Sequence, residues 1–341
     1  MSVRDVKHNK IRFHKKNAPT TNVEVYGREF KDVVVFGKDS FFSAAAAKQY
    51  YEVEQITVLD GRVHNGGKDS WKLHVNGFEF VKAPEYDFED HATLQTKEEK
   101  RLARKRVNRE FAPKVLEVCR KTSGASKAFW MSSQRRAEAA VNDVSEGYAT
   151  GFAHADYGPE NEEQFRTVLE HRYGMSHEEA QSCGICLVNM WCPVERPAYK
   201  NPLALMDCST MKSLEEETIR WKLDMSIDNG YDYQVENKGQ THHRPLNERV
   251  PQAAKDAPAL TPLYKPYHRY VYLPDMREDE AVIFKQVDFR KDQVARASFH
   301  TAINDLYHKN DEFWKIGRRS IECRVILTFD PPESNKQQSK L

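Results

Sequence analysis

The 341-residue chain has almost no net charge and no long apolar run, and each absence excludes a class of protein. Lysine and arginine number 52 against 51 acidic residues, so the net charge of +1 creates no field that would attract nucleic acid or a membrane. No apolar stretch is long enough to span a bilayer, and residues 1–17 are charged throughout, unlike a secretory signal. We therefore expect a cytoplasmic protein with no nucleic-acid or membrane partner.

The chain also lacks a disulfide pattern, since its six cysteines, at positions 119, 183, 186, 192, 208 and 323, follow no disulfide spacing. Free thiols in a reducing compartment are the simpler interpretation. Cys183 and Cys186 have the C-x-x-C spacing of half a zinc site or a redox pair. A zinc site would need a second pair, and Cys192, Cys208 and His177 lack the spacing for one. We expect Cys183 and Cys186 to be buried as small apolar side chains at the start of a strand.

Two histidines and one aspartate in two separate motifs suggest a metal site. His154 and Asp156 lie two residues apart in GFAHADY, and residues two apart on a strand project from the same face. His300, in ARASFHTAIND, could supply a third ligand, because a barrel or double sheet brings the ends of distant strands together. Two imidazoles and one carboxylate on one side of a metal leave three positions open for a co-substrate and dioxygen. A polar strand end is the alternative for the His-x-Asp triplet alone.

Residues 318–325 alternate as a strand with one polar face, which consists of Arg318, Ser320, Glu322 and Arg324. An arginine offers a planar fork to a carboxylate, and a serine two residues along supplies one more bond. Arg318 and Ser320 therefore fit a dicarboxylate co-substrate, and Arg324 is the alternative arginine on the same face. The other interpretation, which applies most to Arg324, is a solvated face with Glu322 paired between two arginines.

Longer stretches occur in a fixed order between about Lys114 and Phe329, namely VNMWCPVERPAYKNPLALMDCSTM (188–211), HRYVYLPDMREDEAVIFKQVDF (268–289), ARASFHTAIND (295–305) and RRSIECRVILTF (318–329). In this order they resemble the fungal CmcJ/AsaB-type hydroxylase and desaturase family, also called gibberellin-desaturase-like. The upstream NGFEFVKAPEYDFED (76–90) is similar to the entry segment of that family.

This resemblance implies a non-haem Fe(II)- and 2-oxoglutarate-dependent oxygenase. The implied fold class is mainly β with flanking helices (α+β), with a double-stranded β-helix (jelly roll, cupin-like) core. His154, Asp156 and His300 match the three metal-ligand positions of the family. Arg318 and Ser320 match the Arg-x-Ser pair expected to hold the distal carboxylate of 2-oxoglutarate.

The resemblance also implies the reaction and its participants. Dioxygen and a small specialised metabolite or amino-acid-derived substrate would react with release of succinate and CO2, with ascorbate as reductant. Hydroxylation, desaturation, ring closure and peroxide formation all start from hydrogen abstraction, so the outcome stays open. Asn189 joins Arg324 as a further candidate for co-substrate binding. A homodimer is left open.

Two positions depart from the family pattern. Cys192 follows the tryptophan of the N-x-W-x-P word, where the family usually has an arginine, so the anchoring role of that arginine is missing or relocated. Tyr270 stands where a tryptophan often follows His-Arg. Neither departure affects the three predicted metal ligands.

Other classes of function are compatible with parts of the sequence. One is a cupin-like metal-binding protein or metal-dependent hydrolase that holds zinc or manganese without a keto acid. Another is a basic binding module centred on residues 97–121, although acidic residues interleave with its lysines and arginines. His268 is expected to make a structural hydrogen bond. The remaining histidines considered for iron and not assigned to it are His171, His177, His242 and His243.

We predict a mobile basic tail over 1–20, a single catalytic domain over 21–330 and a polar C-terminal tail over 331–341. Within the catalytic domain we expect lead-in strands over 22–90, a helical segment over 96–121 that Pro113 breaks or kinks, and a polar insertion over 225–262. The insertion has the composition of a loop. We expect it to be a mobile lid that becomes ordered when substrate and 2-oxoglutarate bind, because such an enzyme gains by closing its pocket.

Overall fold

The structure, a computed structural model, describes residues 3–14, 16, 21–25, 28–36, 51–90, 93–94, 96–137, 153–223 and 259–331. Strands predominate in these ranges: β1 (Val6–His14), β2 (Thr21–Val25), β3 (Arg28–Phe36), β4 (Tyr51–Asp60), β5 (Phe78–Lys82), β6 (Lys127–Ala137), β7 (Gly184–Pro193), β8 (Leu203–Met206), β9 (Thr218–Leu223), β10 (Ala259–Pro262), β11 (Tyr270–Tyr272), β12 (Glu280–Asp288), β13 (His300–Ala302) and β14 (Arg319–Phe329).

The α-helices of the described residues are fewer and short: α1 (Leu73–Asn76), α2 (Lys97–Arg106), α3 (Ala112–Ser123), α4 (Glu162–Tyr173), α5 (His177–Ser182) and α6 (Glu312–Ile316). Single 3-10 turns cover His64–Gly66, Lys68–Ser70, Pro159–Asn161 and Cys208–Thr210. The prediction of a mainly β fold with flanking helices is therefore confirmed.

The strands form three sheets with the orders β1-β4-β11-β8-β13, β10-β9-β3-β2 and β5-β12-β7-β14-β6. All neighbouring pairs of the third sheet are antiparallel, whereas β4 runs parallel to β11 and β3 parallel to β9. Strands β2 to β5 coincide with the lead-in strands expected over 22–90. Two of these strands, β3 and β4, also pair in parallel with strands from the second half of the chain.

The prediction of a mobile basic tail over residues 1–20 is wrong for Val6–His14, which form β1. This strand pairs with β4, and its alternating apolar residues Ile11 and Phe13 are buried. The Phe13 ring packs edge-on against Tyr270, with ring centroids 6.1 Å apart. Two buried side chains on one strand face are enough to dock this segment, although the residues around them are mostly basic.

The charged segment 96–121 forms α2 and α3, which are joined by a π-helical turn over Val107–Phe111; Pro113 is the second residue of α3. A π turn is a common way for a helix to absorb a local irregularity. Val115 and Cys119 of α3 are fully buried against β7 and β14. On the exposed side of α2, Arg101 pairs with Glu98. The exposed charges thus belong to helices that cover one face of the third sheet.

Strand β14 has an apolar side, which faces the helices, and a polar side. Ile321, Cys323 and Val325 pack into the core under α3. Ser320, Glu322 and Arg324 alternate with them and therefore project from the opposite face of the sheet. The polar face predicted from the sequence thus points away from the helices and into the interior of the protein.

Several predicted parts lie partly or wholly outside the described residues. Residues 225–258 of the insertion and 332–341 of the C-terminal tail are among them. The loop prediction is wrong for the last four residues of the insertion, since Ala259–Pro262 form β10 and pair with β9. Alanine and proline are depleted in strands, so the strand here follows from the pairing of these residues with β9 and with Ala155 and not from their composition.

All six cysteines are free and buried, which confirms the interpretation of the C-x-x-C pair as small apolar side chains. Burial raises the pKa of the Cys186 thiol well above its usual value and that of Cys192 to about 12. These thiols are therefore protonated at neutral pH and are poor metal ligands or nucleophiles.

An ion pair between a half-buried arginine and a buried glutamate connects the first sheet to the third. Arg62, two residues after the end of β4, donates two hydrogen bonds to Glu280 at the start of β12, at 2.9 and 2.7 Å. Burial alone would raise the pKa of the Glu280 carboxyl. The hydrogen bonds from Arg62 and from the backbone of Arg277 have the larger effect, and they lower this pKa to about 2. A lowered pKa means that the ionised form stabilises the folded state.

Glu280→Gln should therefore reduce the free energy of unfolding by about 2–3 kcal/mol at pH 7. Because the folded pKa is depressed, this contribution is fully present above the usual value of 4.5 and disappears as the pH falls towards about 2. Urea unfolding at pH 7, 4 and 2.5 measures it, with the exposed neighbour Glu278→Gln as the matched control. A difference between Glu280→Gln and the unsubstituted protein that stays constant with pH would contradict the role of the ionised carboxylate.

Candidate metal centre

His154 and His300 are brought together by their own backbones. The two residues form an antiparallel bridge, in which the N–H of His154 donates to the carbonyl of His300 at 3.1 Å and the reverse bond measures 2.9 Å. Residues paired in this way project from the same side of a sheet. The ring centroids accordingly lie 4.3 Å apart. The pairing of one short segment with β13 thus places two imidazoles side by side.

Asp156 completes the cluster from the same segment. Ala155 pairs on its other side with Leu260 of β10, through bonds of 2.8 and 3.1 Å, so the segment is held between β13 and β10. The Asp156 Oδ1 atom lies 3.8 Å from His154 Nε2. One ligand atom from each of His154, Asp156 and His300 can be chosen so that all lie within 4.8 Å of one another. Within the described ranges, this is the group of side chains close enough to hold a metal ion.

The charge states of the cluster suit metal binding. Burial and the neighbouring His154 lower the pKa of His300 well below its usual value, so its imidazole is neutral. Burial raises the pKa of the Asp156 carboxyl, but the charge of Arg324 and its hydrogen bond to the carboxylate lower this pKa below its usual range. A neutral imidazole and an ionised carboxylate are the forms that coordinate metals. The donor set of two nitrogens and one oxygen matches the facial triad of non-haem iron.

Arg324 contacts the aspartate of this cluster. Its Nη2 and Nε atoms lie 3.2 and 3.3 Å from Asp156 Oδ2, and its Nη2 also lies 2.8 Å from Glu322 Oε1. Glu322 in turn accepts a hydrogen bond from Asn189 at 3.0 Å and lies 3.6 Å from Arg136 Nη2. Glu322 therefore pairs with two arginines, Arg324 of its own strand and Arg136 of β6, but it is buried, so the alternative of a solvated face is wrong at this position. Burial lowers the pKa of Arg324, but Glu322 and Asp156 raise it above its usual value overall.

Arg318 immediately precedes β14, Ser320 is the second residue of that strand, and both side chains are buried. The Arg318 guanidinium donates to the carbonyl of Asn201, and its Cζ lies 5.7 Å from the centre of the Trp191 ring. Trp191 pairs with Glu322 across the sheet, so the guanidinium leans along the inner face towards the centre of the strand. Ser320 Oγ is buried and has no hydrogen-bond partner among the described residues. The pair thus offers a charged fork and an available hydroxyl.

Gln286 is a site residue that the sequence reasoning missed. Its Oε1 accepts a hydrogen bond from the backbone N–H of Asp156 at 2.7 Å, and the side chain is completely buried. Two residues earlier, the Phe284 ring lies 5.1 Å from the ring of His300. The signal was present in the sequence, because Lys285 and Gln286 interrupt an otherwise apolar run in AVIFKQV. Arg136, whose charge acts on His300, was missed as well.

The remaining histidines considered in the sequence have other partners or lie elsewhere. His268 Nε2 is 2.8 Å from Glu217 Oε2, in agreement with its expected structural role. His177 Nδ1 lies 2.9 Å from Glu170 on the surface. His242 and His243 fall outside the described residues.

Most of the chain matches a known protein family. A model of the family described as "Oxidoreductase/YMDC permease-like domain" matches residues 33–328, most of the chain. The chain belongs to this family. In the part of the chain that the structure describes, no helix of this family member is long and apolar enough to cross a membrane.

Curated relatives of this family member include fungal enzymes of the type that the sequence resembles. "Hydroxylase/desaturase CTB9" of Cercospora beticola is 24% identical over 337 residues, which cover 92% of this chain and 87% of that protein. "Hydroxylase/desaturase asaB" of Aspergillus flavus is 28% identical over 159 residues, which cover 42% of this chain and 55% of that protein. The resemblance inferred from the ordered sequence stretches is confirmed.

Solved structures of one endoperoxidase have the same fold. The "iron and alpha-ketoglutarate-dependent endoperoxidase NvfI" superposes with a TM-score of 0.63 at 16% identity, covering 96% of this chain and 99% of that one. A second structure of NvfI in a different conformation gives a TM-score of 0.66 at 18% identity, covering 97% and 100%. At this identity the likeness concerns the fold.

The two departures from the family words lie away from the cluster. Cys192 is buried on the face of β7 that packs under the helices, together with Ile321 and Cys323. An arginine at this position would have to enter an apolar core. Tyr270 is buried in a different core, near Phe13. Neither side chain contributes to the group formed by the histidines and the aspartate.

Proposed function

We propose that this protein is an Fe(II)- and 2-oxoglutarate-dependent oxygenase acting on a small specialised metabolite or amino-acid-derived substrate. The observation that carries the proposal is the group of His154, Asp156 and His300, whose ligand atoms lie within 4.8 Å of one another beside a buried polar strand face. The enzyme names of the curated relatives and of the structural neighbour support the same chemistry.

His154, Asp156 and His300 would hold the iron. When bound, iron with three open positions supplies a site where dioxygen is activated at the expense of the keto acid. The protein contributes two imidazoles and an ionised carboxylate on one side, and an apolar wall that includes Phe284 against the His300 ring. Such a wall excludes water from the reacting groups.

Arg318 and Ser320 would bind the far carboxylate of 2-oxoglutarate. A buried arginine beside an available hydroxyl suits an anionic group, since a guanidinium forms two parallel hydrogen bonds with a carboxylate. Arg324 is six residues away, about 20 Å along an extended strand. Its guanidinium already bonds to Asp156, so we assign it to holding the carboxylate ligand in place. Asn189 then acts through Glu322, to which it donates.

Several finer features belong to the same proposal. The core would be a double-stranded β-helix, and residues 21–330 would form a single catalytic domain. Ascorbate would keep the iron reduced. Dioxygen and a small molecule would be its partners, with no nucleic acid or membrane involved. The hydroxylase, desaturase and endoperoxidase activities named for the relatives are all compatible with hydrogen abstraction as the first step.

Succinate formation tests this proposal. The purified chain is supplied with Fe(II), ascorbate and 2-oxoglutarate, and pools of candidate small molecules are screened by mass spectrometry for succinate and for products changed by oxygen or hydrogen. The proposal requires succinate that depends on both iron and substrate. Binding of zinc or manganese together with failure to bind 2-oxoglutarate would favour the cupin-like metal protein or hydrolase instead.

A further inference from the structure

Gln286 lies at an irregularity in β12 beside the candidate metal centre. The pairing of β12 with β7 shifts register between Lys285 and Val287, so Gln286 is the extra residue of a β-bulge. Bulges redirect a side chain, and they are over-represented next to active sites. Here the redirected amide reaches the backbone of Asp156, from which its Oε1 accepts a hydrogen bond at 2.7 Å.

The surroundings hold the bulge firmly. The N–H of Lys285 donates to the carbonyl of Gly77, and the carbonyl of Lys285 accepts from Ser298, both at 2.8 Å. The buried Lys285 ammonium bonds to Asp288 Oδ2 at 2.7 Å and to the carbonyl of Ala295 at 2.8 Å. These bonds span both sides of Gln286 in the chain. The direction of its side chain is therefore set by the fold and not by free rotation.

The other half of the amide has no partner. Gln286 Nε2 is buried and makes no hydrogen bond to any described residue. Because the side chain is wholly inaccessible to solvent, bulk water does not replace the missing partner. The orientation of the amide is determined, because the Asp156 N–H needs an acceptor and Nε2 is a donor. A buried donor without a partner costs about 1–3 kcal/mol, so its retention calls for an explanation.

The unpaired donor lies close to the metal-binding end of the site. The two polar atoms of an amide are about 2.3 Å apart from standard bond lengths, which puts Nε2 within about 5 Å of the Asp156 nitrogen. Arg318 and Ser320 belong to the other, far end of the proposed co-substrate site. An acceptor that satisfies Gln286 must therefore come from a group bound next to Asp156.

Resting on the proposed function, we propose that Gln286 has two roles at once. Its Oε1 positions the segment that carries Asp156, and its Nε2 donates a hydrogen bond to an oxygen at the chelating, 2-oxo-acid end of the co-substrate. The chelating end of a 2-oxo acid consists of a carboxylate and a carbonyl, both of which accept hydrogen bonds. The orphaned donor is thus completed when the co-substrate binds, which adds to affinity without any rearrangement of the protein.

The two roles can be separated by substitution. Gln286→Glu keeps the acceptor for the Asp156 N–H and replaces the donor by a second acceptor. Calorimetric titration of the full chain with Mn(II) measures the metal affinity. Titration of the Mn(II)-loaded protein with 2-oxoglutarate or with oxalate then measures the affinity for each of these ligands. Oxalate offers a chelating pair of oxygens and lacks the far carboxylate. We expect the Mn(II) affinity to stay within about threefold while both 2-oxoglutarate and oxalate bind at least about tenfold more weakly.

Three comparison variants complete the design. Ser320→Ala should weaken 2-oxoglutarate and leave oxalate unchanged, because it acts at the far end. Gln286→Met lacks both polar atoms, so the Mn(II) affinity should also fall, by about 10- to 100-fold. Because this variant is uncharged, it also provides the test if the glutamate variant does not fold. Gln55→Glu makes the same chemical change at an exposed position of β4 and should alter neither affinity.

The outcomes discriminate clearly. Normal binding of oxalate by folded Gln286→Glu, or by folded Gln286→Met at saturating Mn(II), would overturn the donor role. A loss confined to 2-oxoglutarate would overturn it too, since Gln286 would then serve the far carboxylate. Failure of the unsubstituted protein to bind 2-oxoglutarate at all would overturn the proposed function, and the inference with it. That result differs from the two others, which leave the unsubstituted protein fully able to bind.

Discussion

Replacing His154, Asp156 or His300 with alanine is expected to abolish succinate formation and to weaken Fe(II) binding by more than about 100-fold. Loss of an outer-shell partner typically costs 10- to 100-fold in metal affinity, so loss of one of three direct ligands should cost more. The fold should persist, because His154 and His300 are joined through backbone atoms that alanine retains. Metal titration followed by calorimetry, together with circular dichroism, separates the two effects.

Two histidine variants provide matched controls for this experiment. His177→Ala removes an exposed imidazole that pairs with Glu170 and should change neither binding nor activity. His268→Ala removes a buried imidazole bonded to Glu217, so it should lower stability while the folded fraction still binds Fe(II). Normal turnover of the His300→Ala protein would show that the distal ligand is wrongly assigned.

The site was predictable to the extent that it follows from local spacing. His154 and Asp156 share a face because they are two residues apart in an extended segment, and this needs no tertiary information. His300 was reached through the resemblance of its sequence word. Its antiparallel bridge to His154 is a property of the folded chain alone.

The parts that the sequence did not reveal depend on long-range pairing. The basic composition of residues 1–20 hid Ile11 and Phe13, whose burial follows from the pairing of β1 with β4. Gln286 became a site residue only through a bulge, which shifts a side chain by one position without leaving a strong sequence signature. The contact of Arg324 with Asp156 joins residues 168 positions apart. The alternation of polar and apolar residues over 318–325 identified the strand face on which Arg324 lies, but it did not identify Asp156 as the partner of Arg324.

Arg318, immediately before β14, and Arg324, within β14, should respond differently to the same conservative change. Arg318→Lys retains the charge but loses the planar fork, so we expect the KM for 2-oxoglutarate to rise by about tenfold, or roughly 1.4 kcal/mol, with little change in kcat at saturation. Metal affinity should stay the same, because Arg318 contacts Asn201 and Trp191 and not the ligand cluster.

Arg324→Lys should show the opposite pattern. A single ammonium cannot reproduce the contacts that Arg324 makes with both Asp156 and Glu322, so the carboxylate ligand loses part of its support. Fe(II) affinity should then fall by about tenfold or more, while the KM for 2-oxoglutarate measured at saturating iron stays near that of the unsubstituted protein. Steady-state kinetics at several iron concentrations distinguish the two variants. An unchanged KM in Arg318→Lys together with a raised KM in Arg324→Lys would move the carboxylate site to Arg324, next to the metal, and would leave the buried Arg318 and Ser320 with a structural role.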